Sequence, residues 1–342
     1  MAAYSGFFEA LGLKEWCEAG STGGPQSLAD LLAKTGKVAE TSPWDMPFPS
    51  LDALHEACGA IPRTRELTAG LERVFLDIKD PLKFVLDPLT QPLSWAIDGA
   101  LWAILAMPWW IVIPIFLIVV QFAARSARVT LFVAIVLVML AFVDHYTYAM
   151  QTLAIILVCT VICVLIGVPI GIAMSRSDRL QRSVIPVLDM LQTLPTFVYL
   201  IPLIFLFSVT ESKLYGIAII LYAIVPAIRL TDLGIRLVDK DVLEAAEAFG
   251  MSARQKLFGV QIPLALPNIM AGVNQTIMMS LAMVVIASLV SAPGLGALVL
   301  RGINKLELGV GIVAGLAIVM LAIVLDRVTK AALAQVNRAT KH

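Results

Sequence analysis

From residue 101 onward this chain is a succession of apolar runs separated by short charged stretches. Roughly 20 predominantly apolar residues cross the hydrocarbon layer of a bilayer. Runs near 101–122, 129–143, 148–174, 183–208, 213–228, 265–291 and 308–325 meet or approach that length, the second and fifth being short. No water reaches backbone amides and carbonyls in hydrocarbon, so a spanning segment must satisfy them internally, as a helix does. The expectation is an all-α polytopic membrane protein with about seven transmembrane helices. Composition agrees. Hydrophobic residues make up 59 % and charged residues 15 %, against about 45–50 % and 25 % in soluble domains. The formal net charge is zero, which offers no basic footprint for nucleic acid.

Residues 1–100 are a different material. They hold 8 Lys/Arg and 14 Asp/Glu, a net charge of −6. Pro, Gly and Ser are scattered through "GSTGGPQS" and "TSPWDMPFPS", and short amphipathic pieces such as "SLADLLAKTG" and "TRELTAGLERVFLDI" interrupt them. The expected domains are an acidic, partly helical N-terminal tail over 1–100 and a transmembrane domain over 101–342. The tail is too short, and too poor in strand pattern, for a two-lobed ligand-binding domain. Its start, "MAAYSGFFEALGLKEW", lacks the basic region and long apolar stretch of a secretory signal peptide, so insertion is expected to rely on the internal spans. Trp102, Trp109 and Trp110 suit an interfacial belt. The stretch "SWAIDGALWAILAMP" can itself lie flat in the interface, which would shorten the first span to 108–124.

Four cysteines are present. Cys17 and Cys58 lie far apart in the tail, and Cys159 and Cys163 sit four apart in an apolar run. Zinc would need more ligands at paired spacings. They read as small apolar packing residues, the alternative being a redox role.

Lys and Arg in short loops set orientation. One side collects Arg125, Arg128, Arg176, Arg179, Arg182, Arg229, Arg236, Lys240, Arg254, Lys256, Arg327, Lys330, Arg338 and Lys341. The opposite short loops hold Lys213, Arg301 and Lys305. The richer side is read as cytoplasmic. Seven spans then leave the C-terminus inside and the tail outside, in the periplasm.

The cytoplasmic stretch "DVLEAAEAFGMSARQKLFGVQIPLALP" (241–267) is too charged for lipid, yet patterned. Val242, Ala245, Ala246 and Phe249 form one helical stripe, while Asp241, Glu244 and Glu247 fall on another face. Gly250 then supplies a helix stop. Ser252 with Gln255 three residues on matches a capping box that starts a second short helix. Pro263 and Pro267 mark the start of the next span. The pattern is a helix–turn–helix bracket over 236–263, shaped to dock in a groove on a soluble partner.

These residues carry a resemblance. Glu244-Ala245-Ala246, three residues, Gly250, nine residues, then Val260-Gln261-Ile262-Pro263 resembles the EAA loop of ABC importer permeases. That family has Ile and Leu where this chain has Val260 and Ile262, both mild departures. "LDMLQTLPTFVYLIPLIFLF" (188–207), "AGVNQTIMMSLAMVVIASLV" (271–290) and "GLGALVLRGINKL" (294–306) resemble the permeases of glycine betaine/proline betaine uptake systems. The likeness covers most of 140–330. It implies the type I ABC importer permease fold in a bacterial inner membrane. It implies a transmembrane subunit of an ATP-driven importer for glycine betaine, proline betaine or a related osmolyte such as choline, carnitine or trimethylamine N-oxide. The implied partners are a second copy of the chain, two cytoplasmic ATPase subunits and a binding protein on the outer side. ATP and Mg would sit at the ATPase, and no cofactor on this chain. The coupling residues it implies are Glu244, Ala245, Ala246, Gly250, Val260, Ile262 and Pro263.

Other chemistry finds little support. Thr35-Gly36-Lys37-Val38 lacks the upstream Gly and the Ser/Thr of a phosphate-binding loop. His55, His145 and His342 are dispersed, with no nucleophile–base pairing. Polar residues inside spans are costly and often face a bundle interior or a water path. Gln192, Thr193 and Thr196 beside Pro195, with Tyr199, Asn274 and Gln275, are the candidate translocation lining; helix–helix hydrogen bonding is the other reading of the same residues. Pro195 and Pro202 can kink the fourth span. A quaternary ammonium usually needs an aromatic cage, and only Phe197 and Tyr199 lie near the polar set, so tight capture falls to a separate protein. The rival reading, a secondary transporter or channel, predicts inverted repeats and buried ion ligands, and neither is visible in the sequence.

Overall fold

The structure, a computed structural model, describes residues 4–19 and 48–339. The stretches "GSTGGPQS", "SLADLLAKTG" and Thr35–Val38 lie outside the described residues. Two compact units divide at Leu82 and Lys83, inside a long helix.

The first unit holds α1 (Ser5–Ala10), α2 (Lys14–Ala19), α3 (Leu51–Ala57) and the start of α4 (Thr64–Ala106). Ser50 caps α3 by accepting from the Ala53 amide at 3.3 Å. Asp52 accepts the Thr64 amide at 2.9 Å and Glu66 the Arg63 amide at 3.2 Å, so side chains take up the free amides where α4 starts. Cys17 and Cys58 are joined by a disulfide. This corrects the reading of these two as packing cysteines. Cys159 and Cys163 are free and buried, as packing residues are.

The second unit continues α4 and adds α5 (Trp109–Ala124), α6 (Ala127–Phe142), α7 (Tyr146–Ser175), α8 (Asp178–Thr193), α9 (Leu200–Leu206), α10 (Ser212–Arg236), α11 (Lys240–Ala248), α12 (Ala253–Lys256), α13 (Ile262–Ala287), α14 (Leu295–Asn304) and α15 (Leu308–Ala339). Among the described residues, four helical stretches are long and apolar enough to span: α7, α10, the run Ala253–Val290 that contains α13, and α15. A fifth arises if α4 and α5, bent by 119° at Met107-Pro108, count together. α5 itself begins at Trp109, the shorter of the two starts expected for that span. The 16 residues of α6 reach only about 24 Å. The run at 183–208 is carried by two helices, because residues 194–199 are not helical. Pro195 supplies no amide and disfavours helical backbone at Leu194.

α10 packs along both α7 and α13. Small residues permit it. A Cβ added at Gly171 of α7 would lie 2.6 Å from the Ile228 carbonyl oxygen of α10, and one at Gly272 of α13 would lie 3.0 Å from the Pro226 carbonyl. Close backbone approach is how helices associate in lipid, where no hydrophobic force acts between them. Ile155, Ile156, Leu214, Ile219, Met283 and Leu321 are fully buried around this seam.

Candidate functional site

The 236–263 segment folds as a bracket. Asp239 opens α11 by accepting the Asp241 amide at 3.0 Å. Gly250 has φ 76°, the left-handed conformation that glycine adopts without a Cβ penalty. Its amide donates to the Glu247 carbonyl at 2.9 Å and the Met251 amide to the Ala246 carbonyl at 3.1 Å, which closes the helix end with both bonds of a Schellman turn. Ser252 and Gln255 form the reciprocal capping box. Lys256 pairs with Glu247, tying α12 back to α11. A π turn over Leu257–Gln261 leads into α13, with Pro263 in its first turn.

The bracket has an anchored base and a bare outer surface. Leu257 packs with Ile235, Val238, Ala265 and Ile269, and Ala246 is buried. Val260, Ile262 and Pro263 are half-buried there, whereas Glu244 and Ala245 are exposed. Phe249 is 89 % exposed, with Val242, Met251 and Phe258 also exposed. Phe249 belongs to the stripe visible in the sequence but not to the expected site residues. The stripe splits: Ala246 turns inward while Val242 and Phe249 face out.

The polar set within the spans separates into two places. Gln192 and Thr193 end α8 on an exposed surface, followed by exposed Pro195 and half-buried Thr196. The Gln192 amide approaches the Met279 sulfur of α13 at 3.9 Å. Gln275, one turn before Met279, is also exposed. Asn274 instead turns toward α15. Its amide approaches Asp326 at 3.4 Å and its carbonyl accepts the Thr329 hydroxyl. Tyr199 is buried, and its hydroxyl has no partner. The structure thus brings Gln192 to α13 but places Asn274 in a helix–helix contact.

The two ends of α10 carry charge clusters that the sequence did not pair. At its start, Lys213 is 4 % exposed, 2.7 Å from Asp87 and 3.0 Å from Glu211. It lies 3.5 Å from Gln91 and 5.3 Å from the centroid of the Phe207 ring. Ser212 donates to Asp98. Asp87, Gln91, Ser94 and Asp98 lie on one side of α4, at helical spacing, and that spacing was the signal available. At its other end, Arg236 reaches Asp232 at 2.9 Å, Asp178 at 2.7 Å and the Met174 carbonyl at 2.8 Å. Gln181 reaches Asp232 at 2.6 Å. Asp189 pairs with Arg229 of α10, and Arg182 donates to the Asp178 carbonyl of its own helix.

A cleft of about 420 Å³ lies among Ile104, Phe116, Leu153, Ile277 and Val324. Its lining is apolar apart from Thr329, whose hydroxyl is taken by Asn274 and the backbone of its own helix. Among the described residues no cluster of His, Cys, Asp or Glu could hold a metal.

Residues 164–342 match the family described as the binding-protein-dependent transport system inner membrane component. The chain belongs to that family, and it is a multi-pass inner-membrane transport permease. It is 41 % identical over 286 residues to the glycine betaine/proline betaine transport system permease protein ProW of Escherichia coli, covering 83 % of this chain and 78 % of that protein. It is 44 % identical over 224 residues to the glycine betaine transport system permease protein OpuAB of Bacillus subtilis, covering 64 % and 79 %. It is 35 % identical over 275 residues to the trimethylamine N-oxide transport system permease protein TmoV of Ruegeria pomeroyi, covering 80 % of this chain and 39 % of that one. A solved structure of the MetNI methionine ABC transporter in an inward-facing conformation overlaps 56 % of this chain and 93 % of its own at 20 % identity, with a TM-score of 0.48.

Proposed function

We propose that this chain is the membrane subunit of an ATP-driven importer for glycine betaine, proline betaine or a related quaternary or methylated amine. It works as a pair, with two ATPase subunits on the cytoplasmic side and a binding protein outside. ATP and Mg are bound by the ATPase, which hydrolyses the ATP, and not by this chain. The observation that carries this reading is the bracket: a fixed base, two capped helices and an outer surface that leaves Phe249 bare. A phenyl ring in water is costly to leave so, and a groove on a partner would cover it. Osmolytes of this class are the named substrates of the relatives above.

The same reading sets orientation. Met174, Asp178 and Arg236 meet at the bracket end of α10, so the Arg-rich loops share a side, and that side is cytoplasmic. The N-terminal unit is then outside. α4 turns by 119° from α5 and exposes Phe84, Leu89, Trp95 and Trp102, which suits a helix lying along the outer interface. Gln192, Thr193, Thr196 and Gln275 line a cavity shared with the second copy, beside the non-helical break at 194–199 whose backbone groups need water or protein.

The test is reconstitution. The chain with its ATPase and binding protein should take up labelled glycine betaine only with ATP present. Competition by choline, carnitine and trimethylamine N-oxide would rank substrates. ATP-independent uptake, driven by an ion gradient, would overturn the reading.

A further inference from the structure

The N-terminal unit has a construction unlike the rest of the molecule. Among its described residues, 4–19 and 48–82, only Cys17 and Cys58 are buried, at 8 % and 1 % exposure. Every other described side chain there, where burial is defined, is exposed or half-exposed. The described residues of the unit therefore show no apolar core beyond the two cysteines. Apart from the start of α4, its described helices are short: six residues each in α1 and α2, seven in α3. Isolated helices of that length do not persist in water. A bond between the two sulfurs joins α2 to the turn after α3, across a sequence separation of 41. Small units that cannot assemble a core rely on such crosslinks, and they occur in oxidising compartments.

We infer that Cys17–Cys58 is a structural disulfide formed outside the cytoplasmic membrane, where it ties α2 to the turn after α3. The inference rests on the orientation proposed above. The chemistry is dithiol–disulfide exchange with an extracytoplasmic protein disulfide. One thiolate attacks the oxidant's S–S bond to give a mixed disulfide. The second thiolate then displaces the oxidant's sulfur. Two protons and two electrons leave the cysteines, and the oxidant is reduced to a dithiol. Cys159 and Cys163 are fully buried in α7 and lie outside this exchange.

The full chain in its membrane supplies the assay. Cells are acid-quenched, denatured in detergent and treated with a maleimide carrying a polymer tag that shifts mobility. Cys159 and Cys163 should give two adducts, and prior reduction should raise this to four. A host lacking its extracytoplasmic thiol oxidase, grown without oxygen, should give four adducts with no reductant. Two adducts in both hosts would mean the bond forms without the outer oxidant and would overturn the compartment. Four adducts in both hosts would overturn the disulfide itself. Orientation is read separately, with Phe48→Cys in a Cys17→Ala/Cys58→Ala chain, since Phe48 is 83 % exposed. Labelling by a membrane-impermeant maleimide on intact spheroplasts places the tail outside. Labelling only after lysis would sink the orientation, whatever the state of the disulfide.

Discussion

The two ends of α10 solve the problem of charge at a membrane protein's edge in opposite ways. At the start, Lys213 is almost wholly removed from solvent and held by two carboxylates and an aromatic ring. At the other end, two pairs are partly wet, Arg229 and Asp189 being 39 % and 55 % exposed and Arg236 and Asp178 31 % and 74 %, while Asp232, which also holds Arg236, is buried. A buried charge that loses its partner is expensive. An exposed pair can open and re-form at little cost. So the same helix has one end built to stay and one end built to shift, and the shifting end leads directly into the bracket.

The largest expected effect breaks the fixed end. Lys213→Met leaves Asp87 and Glu211 without their cation; both carboxylates are 34 % exposed, so the cost falls below the ~3–5 kcal/mol of a fully buried pair. The thermal midpoint and yield of the purified complex should both fall, and adding Asp87→Asn should recover part of the loss. Undiminished stability would erase the contrast between the ends. Next comes the bracket. Gly250 has no neighbour within 4 Å of a built Cβ, so Gly250→Glu meets only the left-handed backbone, a strain of about 1–2 kcal/mol. The chain should insert and assemble while uptake per ATP hydrolysed collapses. Gly250→Asn, which tolerates that backbone, should retain most uptake. Normal coupling in the Glu variant would remove the docking surface.

Smaller effects sharpen the middle of the molecule. Asn274→Leu should lower stability by about 0.6 kcal/mol, the usual worth of an interhelical hydrogen bond in lipid, with transport per complex unchanged. Gln192→Leu should do the reverse, slowing uptake while the thermal midpoint and the binding protein's affinity hold. Identical behaviour of the two would mean the exposed and packed polar groups are not distinct. The smallest change is Arg229→Gln, where an exposed pair is worth about 0–1 kcal/mol. Its midpoint should match wild type within error, and a drop comparable to that of Lys213→Met would show that the wet end is not wet.

How much of this could be read from the residues depends on the range of the interaction. The bracket was legible because its signals are local. Ser252 and Gln255, the Gly250 stop and Pro263 all act within a turn or two. The apolar runs were legible for the same reason, since bilayer thickness acts on each run separately. The break at 194–199 was half-legible: Pro195 marked a kink, but not that helix would cease for six residues. Pairing across the fold was not legible. Lys213 read as a loop charge because Asp87 is 126 residues away. Cys17 and Cys58 read as unrelated because nothing near either one specifies the other. Asn274 and Gln275 are neighbours on one helix, so no periodicity could say which would meet α15 and which would stay uncovered.

The π turn at Leu257–Gln261 has a consequence for rotation. Such a turn is an α-helix carrying one surplus residue. Each residue of an α-helix advances the chain by about 100° around the axis. Deleting Gly259, beside which a Cβ would meet nothing within 4 Å, would return α12 and α13 to one continuous screw. Every contact of α13 inside the bundle could stay as it is. The bracket, however, would be re-phased by roughly a quarter turn, carrying Phe249 and Met251 away from whatever they face. The surplus residue is thus the setting that fixes the azimuth at which the bare aromatic surface meets its partner, independently of how well either helix is packed.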